Sequence, residues 1–367
     1  MTLGYTLYGS EVSYYSGKVR AYLRYKRIPF SEVLSTQDVY RQIILPRVGW
    51  PVIPVLVTPE DETLQDSTEI IDELEKRFPV GPVYPLGPRQ RLAALLLEVY
   101  GDEWLKLPAM HYRWNYNHDF AITEFGKMSQ PGKPAELQHE TGLKISRPFA
   151  GALPFLGVTS VTAPAIEDSY LHLLDELDVH FKGHEFLFGT RPSIGDFGLV
   201  GPLYAHLYRD PASGELMKAR APHVAKWVER MMTPPHPKGG EFLLRDDVPD
   251  TLLPVLARMM REMMPVLVDT AHKLTHWRAD TDSLASGSEV PRSLGMHEFK
   301  LGNVKDQRAI FPYELWMLQR PLDFIATLEA DDKLRCADFL RQAGGETLME
   351  FPSFPRLTRK NFKIALA

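Results

Sequence analysis

The chain has 367 residues, 44% of them hydrophobic, with 42 basic against 47 acidic side chains and a formal net charge of −5. That length exceeds one typical core and suits two or three domains. With no basic run standing alone, neither nucleic acid nor an anionic membrane is expected as a partner. A single cysteine, Cys336, excludes an internal disulfide framework, no metal is expected, and without a charged-then-apolar leader or an apolar run of spanning length the expected location is cytoplasmic.

Tyr5 to Tyr8 read as a short strand, followed by a polar turn and then a helix over about Gly17 to Lys26 with Val19, Tyr22 and Leu23 on one face. After a connecting segment, "PVIPVLV" at 51–57 and "TLQ" at 63–65 flank "TPEDE", the composition of a hairpin turn, so an antiparallel pair is expected. "DSTEIIDELEKRF" then places Ile70, Ile71 and Leu74 at helical spacing, with Asp66 and Glu69 in the relation of a capping box. The segment "PVGPVYPLGPR" has the composition of a linker and puts a boundary near residue 84. Beyond it long helical patterns follow: "RQRLAALLLEVYGDEWLKL", "AIEDSYLHLLDELDVHF", "SIGDFGLVGPLYAHLY" and "PHVAKWVERMM". Within residues 236–367, "PDTLLPVLARMMREMMPVLVDTAHKLTHW" reads as one long helix and "GMHEFKLG" and "AIFPYELWMLQ" as strand or extended segments. "ADDKLRCADFLRQAGG" reads as a helix ending in a glycine cap, with Cys336 a small buried residue.

Four segments in order resemble the glutathione transferases: "SYYSGKVR" at 13–20, "VIPVL" at 52–56, "QDSTEIIDELE" at 65–75 and "FLFGTRPSIGDFGLVGPL" at 186–203. The resemblance implies an α/β thioredoxin-like domain over 1–84, an all-α domain over 85–235 bordering an acceptor-substrate pocket, and a mixed extension of unassigned role over 236–367. It implies glutathione as co-substrate, a small electrophile as second substrate, and a homodimer built from the first domain of one chain and the helical domain of the other.

Glutathione presents a thiol, two carboxylates and an ammonium, so its site must stabilise a thiolate and pair charges at its ends. A hydroxyl donor beside a helix N-terminus can lower a thiol pKa by about one or two units, and the resemblance gives that role to Ser13, with Ser16 and Tyr8 as alternatives. Ser13 equally suits plain helix capping, worth about 1 kcal/mol. The resemblance also implies a cis bond before Pro54, with the Ile53 backbone facing the cysteinyl part of glutathione. "LPRVGWPVIP" departs from the family pattern by two extra residues between Gly49 and Pro54 and leaves Arg47 as the partner proposed for the glycyl carboxylate. At the next helix start, Ser67 would bind the γ-glutamyl carboxylate and Asp66 the ammonium, with Gln65 assisting. His111 and Trp114 are assigned to the acceptor-substrate pocket, and Ser193 with Asp196 to capping alone. A second reading keeps the fold as a non-catalytic binding or scaffold protein.

Overall fold

The computed structural model describes residues 4–281 and 284–367. β1 (Tyr5–Gly9) pairs in parallel with β2 (Phe30–Leu34) and antiparallel with β3 (Val55–Val57), which pairs antiparallel with β4 (Thr63–Gln65). The strand order is β2-β1-β3-β4. α1 (Tyr14–Lys26) connects β1 to β2, and α4 (Ser67–Arg77) follows β4. Between β2 and β3 run α2 (Gln37–Val39), a π-helical turn (Tyr40–Ile44) and α3 (Leu45–Val48), where the sequence reads only as a connecting segment. Alternation along the strands sends Tyr5, Leu7 and Leu56 into one core with Val19, Tyr22, Ile70 and Leu74. Val55 and Val57 instead meet Ile44 and Val48 on the opposite face. The expected thioredoxin-like fold results.

Both helices that open at the end of this sheet are capped by their predicted residues. Ser13 has extended backbone angles and its Oγ accepts the Ser16 N–H at 3.2 Å, while Asp66 Oδ1 accepts the Thr68 N–H at 2.9 Å. The expected capping box at Asp66 is only half made. Glu69 turns instead toward Arg359, 3.3 Å away, because a guanidinium offers a carboxylate more than one backbone N–H does.

The helical domain contains α5 (Pro88–Val99), a π-helical turn (Tyr100–Trp104), α6 (Lys106–Asn115), α7 (His118–Ser129), α8 (Ala135–Gly151) and α9 (Leu153–Leu156). α10 (Ala163–Gly183), α11 (Ile194–Ala205), α12 (Pro211–Arg220) and α13 (Pro222–Met232) follow. α11 is buried along nearly its whole length and is started by a complete Ser193–Asp196 capping box, whose carboxylate also accepts from Leu187 N–H and Trp227 Nε1, each at 3.1 Å. It approaches α5 so closely that a Cβ on Gly198 would lie 2.6 Å from Glu98 Cα, so only glycine fits there.

The extension comprises α14 (Leu253–Glu262), α15 (Met264–Ala279), β5 (Met296–Leu301), β6 (Val304–Ala309), α16 (Pro312–Thr327), α17 (Ala330–Gln342), α18 (Glu346–Met349), β7 (Leu357–Lys360) and β8 (Lys363–Leu366). The long helix expected over 249–277 is two helices broken at Met263, since Pro265 has no N–H to continue the ladder. "AIFPYELWMLQ" is not extended: after its first residues it is α16, with Pro312 at the first helical position, where proline is well tolerated. Leu315, Met317, Leu318, Phe339, Leu340 and Leu366 are buried in the same core as Leu92 to Leu97 of α5. At about 1.5–3 kcal/mol for each large apolar side chain removed from water, the extension is an integral part of the folded unit. Among the described residues no helix is long and apolar enough to cross a membrane.

Candidate functional site

Strand register brings the separate motifs together. Tyr8 at the end of β1 lies opposite Val55 at the start of β3, which lies opposite Gln65 at the end of β4. The turn leading to Ser13, the Ile53–Pro54 step and the Asp66–Ser67 helix start therefore emerge side by side from one end of the sheet. The Ile53–Pro54 bond is cis, and among the described residues nothing pairs with the Ile53 backbone N–H or C=O. The N-termini of α1 and α4 bring unpaired N–H groups and partial positive charge to the same edge.

The three hydroxyls differ in placement. Ser13 is half-buried, and its Oγ accepts from Ser16 N–H while its own proton has no acceptor among the described residues. Ser16 is fully buried, and a Cβ on Gly9 would stand 2.9 Å from its Oγ, so it sits beneath β1. Tyr8 is half-buried in the apolar cluster that also holds Trp50, Val52 and Ile53.

Arg47 is held by the β3–β4 turn: it donates to Thr63 Oγ1 at 3.0 Å and to the Asp61 carbonyl at 3.3 Å, and pairs with the Asp61 carboxylate. His111 and Trp114 are buried in helical packing. His111 Nε2 lies 2.8 Å from Glu167 and Nδ1 2.8 Å from the Asn115 amide, while Trp114 stacks among Phe125 and Phe149. Arg113, between them and not singled out by the sequence, is the side chain of α6 that reaches the Ser13 turn, donating to the Val12 carbonyl at 2.8 Å while Asp210 holds its Nε at 2.6 Å.

The extension supplies the other unforeseen groups. The Tyr313 hydroxyl donates to Asp66 Oδ2, and Arg359 donates to Gln65 Oε1 with its Nη1 3.6 Å from Asp66 Oδ2 and its Nε 3.3 Å from Glu69. Burial pushes the Glu69 carboxyl up to about 7, with Arg359 pulling the other way. Ser67, beside Asp66, is buried. One layer below, Lys18 Nζ lies 2.7 Å from Glu98, 2.5 Å from Asp102 and 3.1 Å from Thr68 Oγ1, with all four residues buried. Arg320 of α16 pairs with Glu98 and reaches Asp72 at 2.9 Å and Tyr84 at 2.6 Å. Burial opposes the Glu98 charge, but Arg320 and Lys18 together hold its carboxyl below the ordinary value. This buried network locks α4, and hence Asp66 and Ser67, to α1, α5 and α16.

The chain matches the family model for the glutathione S-transferase N-terminal domain over residues 7–88 and that for the C-terminal domain over residues 161–230. No curated protein matches it. Among solved structures it is similar to a glutathione S-transferase from Rhodospirillum rubrum F11, with 17% identity, coverage of 67% of this chain and 96% of that one, and a TM-score of 0.41. It is similar as well to beta-etherase LigF from Sphingobium sp. strain SYK-6 (17% identity, 63% and 96% coverage, TM-score 0.44). A glutathione S-transferase from Methylobacterium radiotolerans JCM 2831, solved with glutathione sulfonate, gives 23% identity, 63% and 91% coverage and a TM-score of 0.39. With a thioredoxin-like sheet, a helical domain and both family models matched in order, the chain belongs to the glutathione transferase superfamily.

Proposed function

We propose that this protein is a glutathione transferase whose cleft at the end of the sheet binds glutathione and activates its thiol for attack on a small, hydrophobic electrophile. The observation that carries the reading is the register Tyr8–Val55–Gln65, which collects Ser13, the cis Ile53–Pro54 step and the Asp66–Ser67 helix start at one edge. In this reading Ser13, with an uncommitted hydroxyl proton at the start of α1, donates to the thiolate. Ile53 pairs with the cysteinyl backbone as an added strand would, and Ser67 takes the γ-glutamyl carboxylate while Asp66, aided by Gln65, takes the ammonium. Ser16 is a poorer donor because it faces β1. Arg47, committed to Asp61 and Thr63, would have to turn from them to meet the glycyl carboxylate. The proposal keeps the division into domains at residues 84 and 235 and a cytoplasmic location.

A homodimer needs free surface on both the first domain and the helical domain. Here α16 lies across α4 and α5, one from each, joined to them by Arg320, so the proposal is a single-chain unit. The non-catalytic reading draws on a different observation: Asp66 already holds Tyr313 and Arg359.

Calorimetric titration with reduced glutathione tests the proposal. Saturable binding is expected, weakened about tenfold or more in Ser67→Ala, as befits the loss of a hydrogen bond to a charged group. Absence of saturable binding under any condition, including with Arg359 removed, would overturn it.

A further inference from the structure

The tip of the β7–β8 hairpin lies where the proposed ligand would. At one end Arg359, only 7% exposed, brings its guanidinium to Gln65, Asp66 and Glu69, with the Trp316 ring 5.5 Å away. At the other, Phe362 packs against the apolar cluster of Ile44, Val48, Val55 and Val57, which Tyr8, Trp50 and Ile53 also flank. Between them the chain reverses through Asn361 and Phe362, both in left-handed conformations with φ of 51° and 61°. A cation at Asp66 and an aromatic ring against the cluster that Ile53 also flanks bring, in one short segment, a positive charge and a bulky group to the region assigned above to the ammonium and the body of the tripeptide.

The hairpin's main-chain anchors lie at its base and not at its tip. Its base is held by the main chain: Leu357 exchanges two hydrogen bonds with the Gln319 side chain, Val290 N–H donates to Ile364 C=O at 2.9 Å, and Leu366 N–H donates to Ser288 C=O at 2.9 Å. Among the described residues, 359–362 are tied to the sheet domain by side chains alone. Opening the tip breaks the Arg359 and Phe362 contacts and leaves the base, Tyr313 and Arg320 in place. It also exposes Asp66 and Glu69, two carboxylates that attract a replacement cation.

We propose that the hairpin tip is an internal occupant of the cleft. Arg359 takes the place of the γ-glutamyl ammonium, Phe362 covers the Ile53 edge, and glutathione binds by displacing both. The inference rests on the reading of the cleft as a glutathione site. Its consequence is that the observed affinity is the intrinsic one reduced by the fraction of chains whose tip is open.

The experiment compares the full chain with Arg359→Ala by calorimetric titration with reduced glutathione, and follows amide hydrogen exchange across residues 357–366 in the unaltered chain with and without saturating glutathione. Removing a guanidinium that pairs with two carboxylates should raise affinity by about tenfold or more, a change of roughly 1.4 kcal/mol. Exchange at residues 359–362 should accelerate on ligand addition while that at 364–366 stays slow. Equal affinities with unchanged exchange at the tip would overturn the inference and leave the glutathione reading standing. Weaker binding by a folded Arg359→Ala would make Arg359 a ligand contact and overturn it too. No binding by either chain would remove the glutathione reading and the inference with it. The exchange measurement on the unaltered chain decides the matter even where the variant fails to fold.

Discussion

The Tyr313 hydroxyl donates to Asp66 Oδ2 across a separation of 247 residues, joining the first helical turn of α16 to the cap of α4. With Arg359, this hydroxyl ties the extension to the residue assigned to the ligand's ammonium. Asp66 uses Oδ1 on its own helix and Oδ2 on the extension, so its carboxylate is fixed in orientation before any ligand arrives.

Tyr313→Phe should remove that bond and little else, lowering stability by about 1 kcal/mol. Urea denaturation of the variant checks it. A midpoint equal to that of the unaltered chain would show that the bond contributes nothing net.

Lys18→Met should be far more damaging, because it takes from the buried Glu98 carboxylate one of the two cations that hold it charged and leaves Asp102 without its Lys18 partner. Breaking a buried pair from one side costs about 3–5 kcal/mol. Adding Glu98→Gln to that variant should recover part of the loss, whereas a double variant as unstable as the sum of the two singles would contradict a coupled network.

The contribution of Glu103 to stability should fall as pH rises from about 4.5 to about 7. Burial raises the Glu103 carboxyl from its ordinary 4.5 up to about 7 against the pull of Lys106 at 2.6 Å, with Glu314 and Asp66 adding to the rise. In that window the folded chain holds a proton that the unfolded chain has released, so raising the pH favours unfolding. Glu103→Gln should change the slope by on the order of 1–3 kcal/mol between pH 5 and 8, the rest being set by Asp102, Glu69 and Asp196, which burial raises likewise, and by His180 and His206, which burial lowers and which act in the opposite sense. Identical slopes in the two chains would rule Glu103 out as the source.

Light scattering at micromolar concentration should return the mass of one chain, 41.8 kDa, because α16 occupies the surface of α4 and α5. Twice that mass would show that a homodimer forms through some other face.

The parts legible in the sequence are those written in local pattern. β1, the β3–β4 pair, α4 and the helices near Leu92, Leu173 and Leu199 follow from spacing and capping residues. β2 was hidden because "FSEVL" is a largely exposed edge strand without clear alternation, and the 37–48 helix because it is short, contains Pro46 and shifts into a π-helical turn. α14 and α15 merge in the sequence because their apolar faces run on through Met263. In α16, Pro312 suggests a break where it opens a helix instead. Tyr313 and Arg359 carry no local mark of their role, since each meets the cleft only through folding across more than 240 residues.

The thiol of bound glutathione reports the role of Ser13 directly. Ultraviolet titration of that thiol in the full chain, in Arg359→Ala and in each with Ser13→Ala should show a pKa about one to two units below the free value of about 8.5 wherever Ser13 is present. It should return toward that value in Ser13→Ala, with binding retained. An undepressed thiol in the Ser13-containing chains, or a depression that survives Ser13→Ala, would contradict the assignment of Ser13 as the group that activates glutathione.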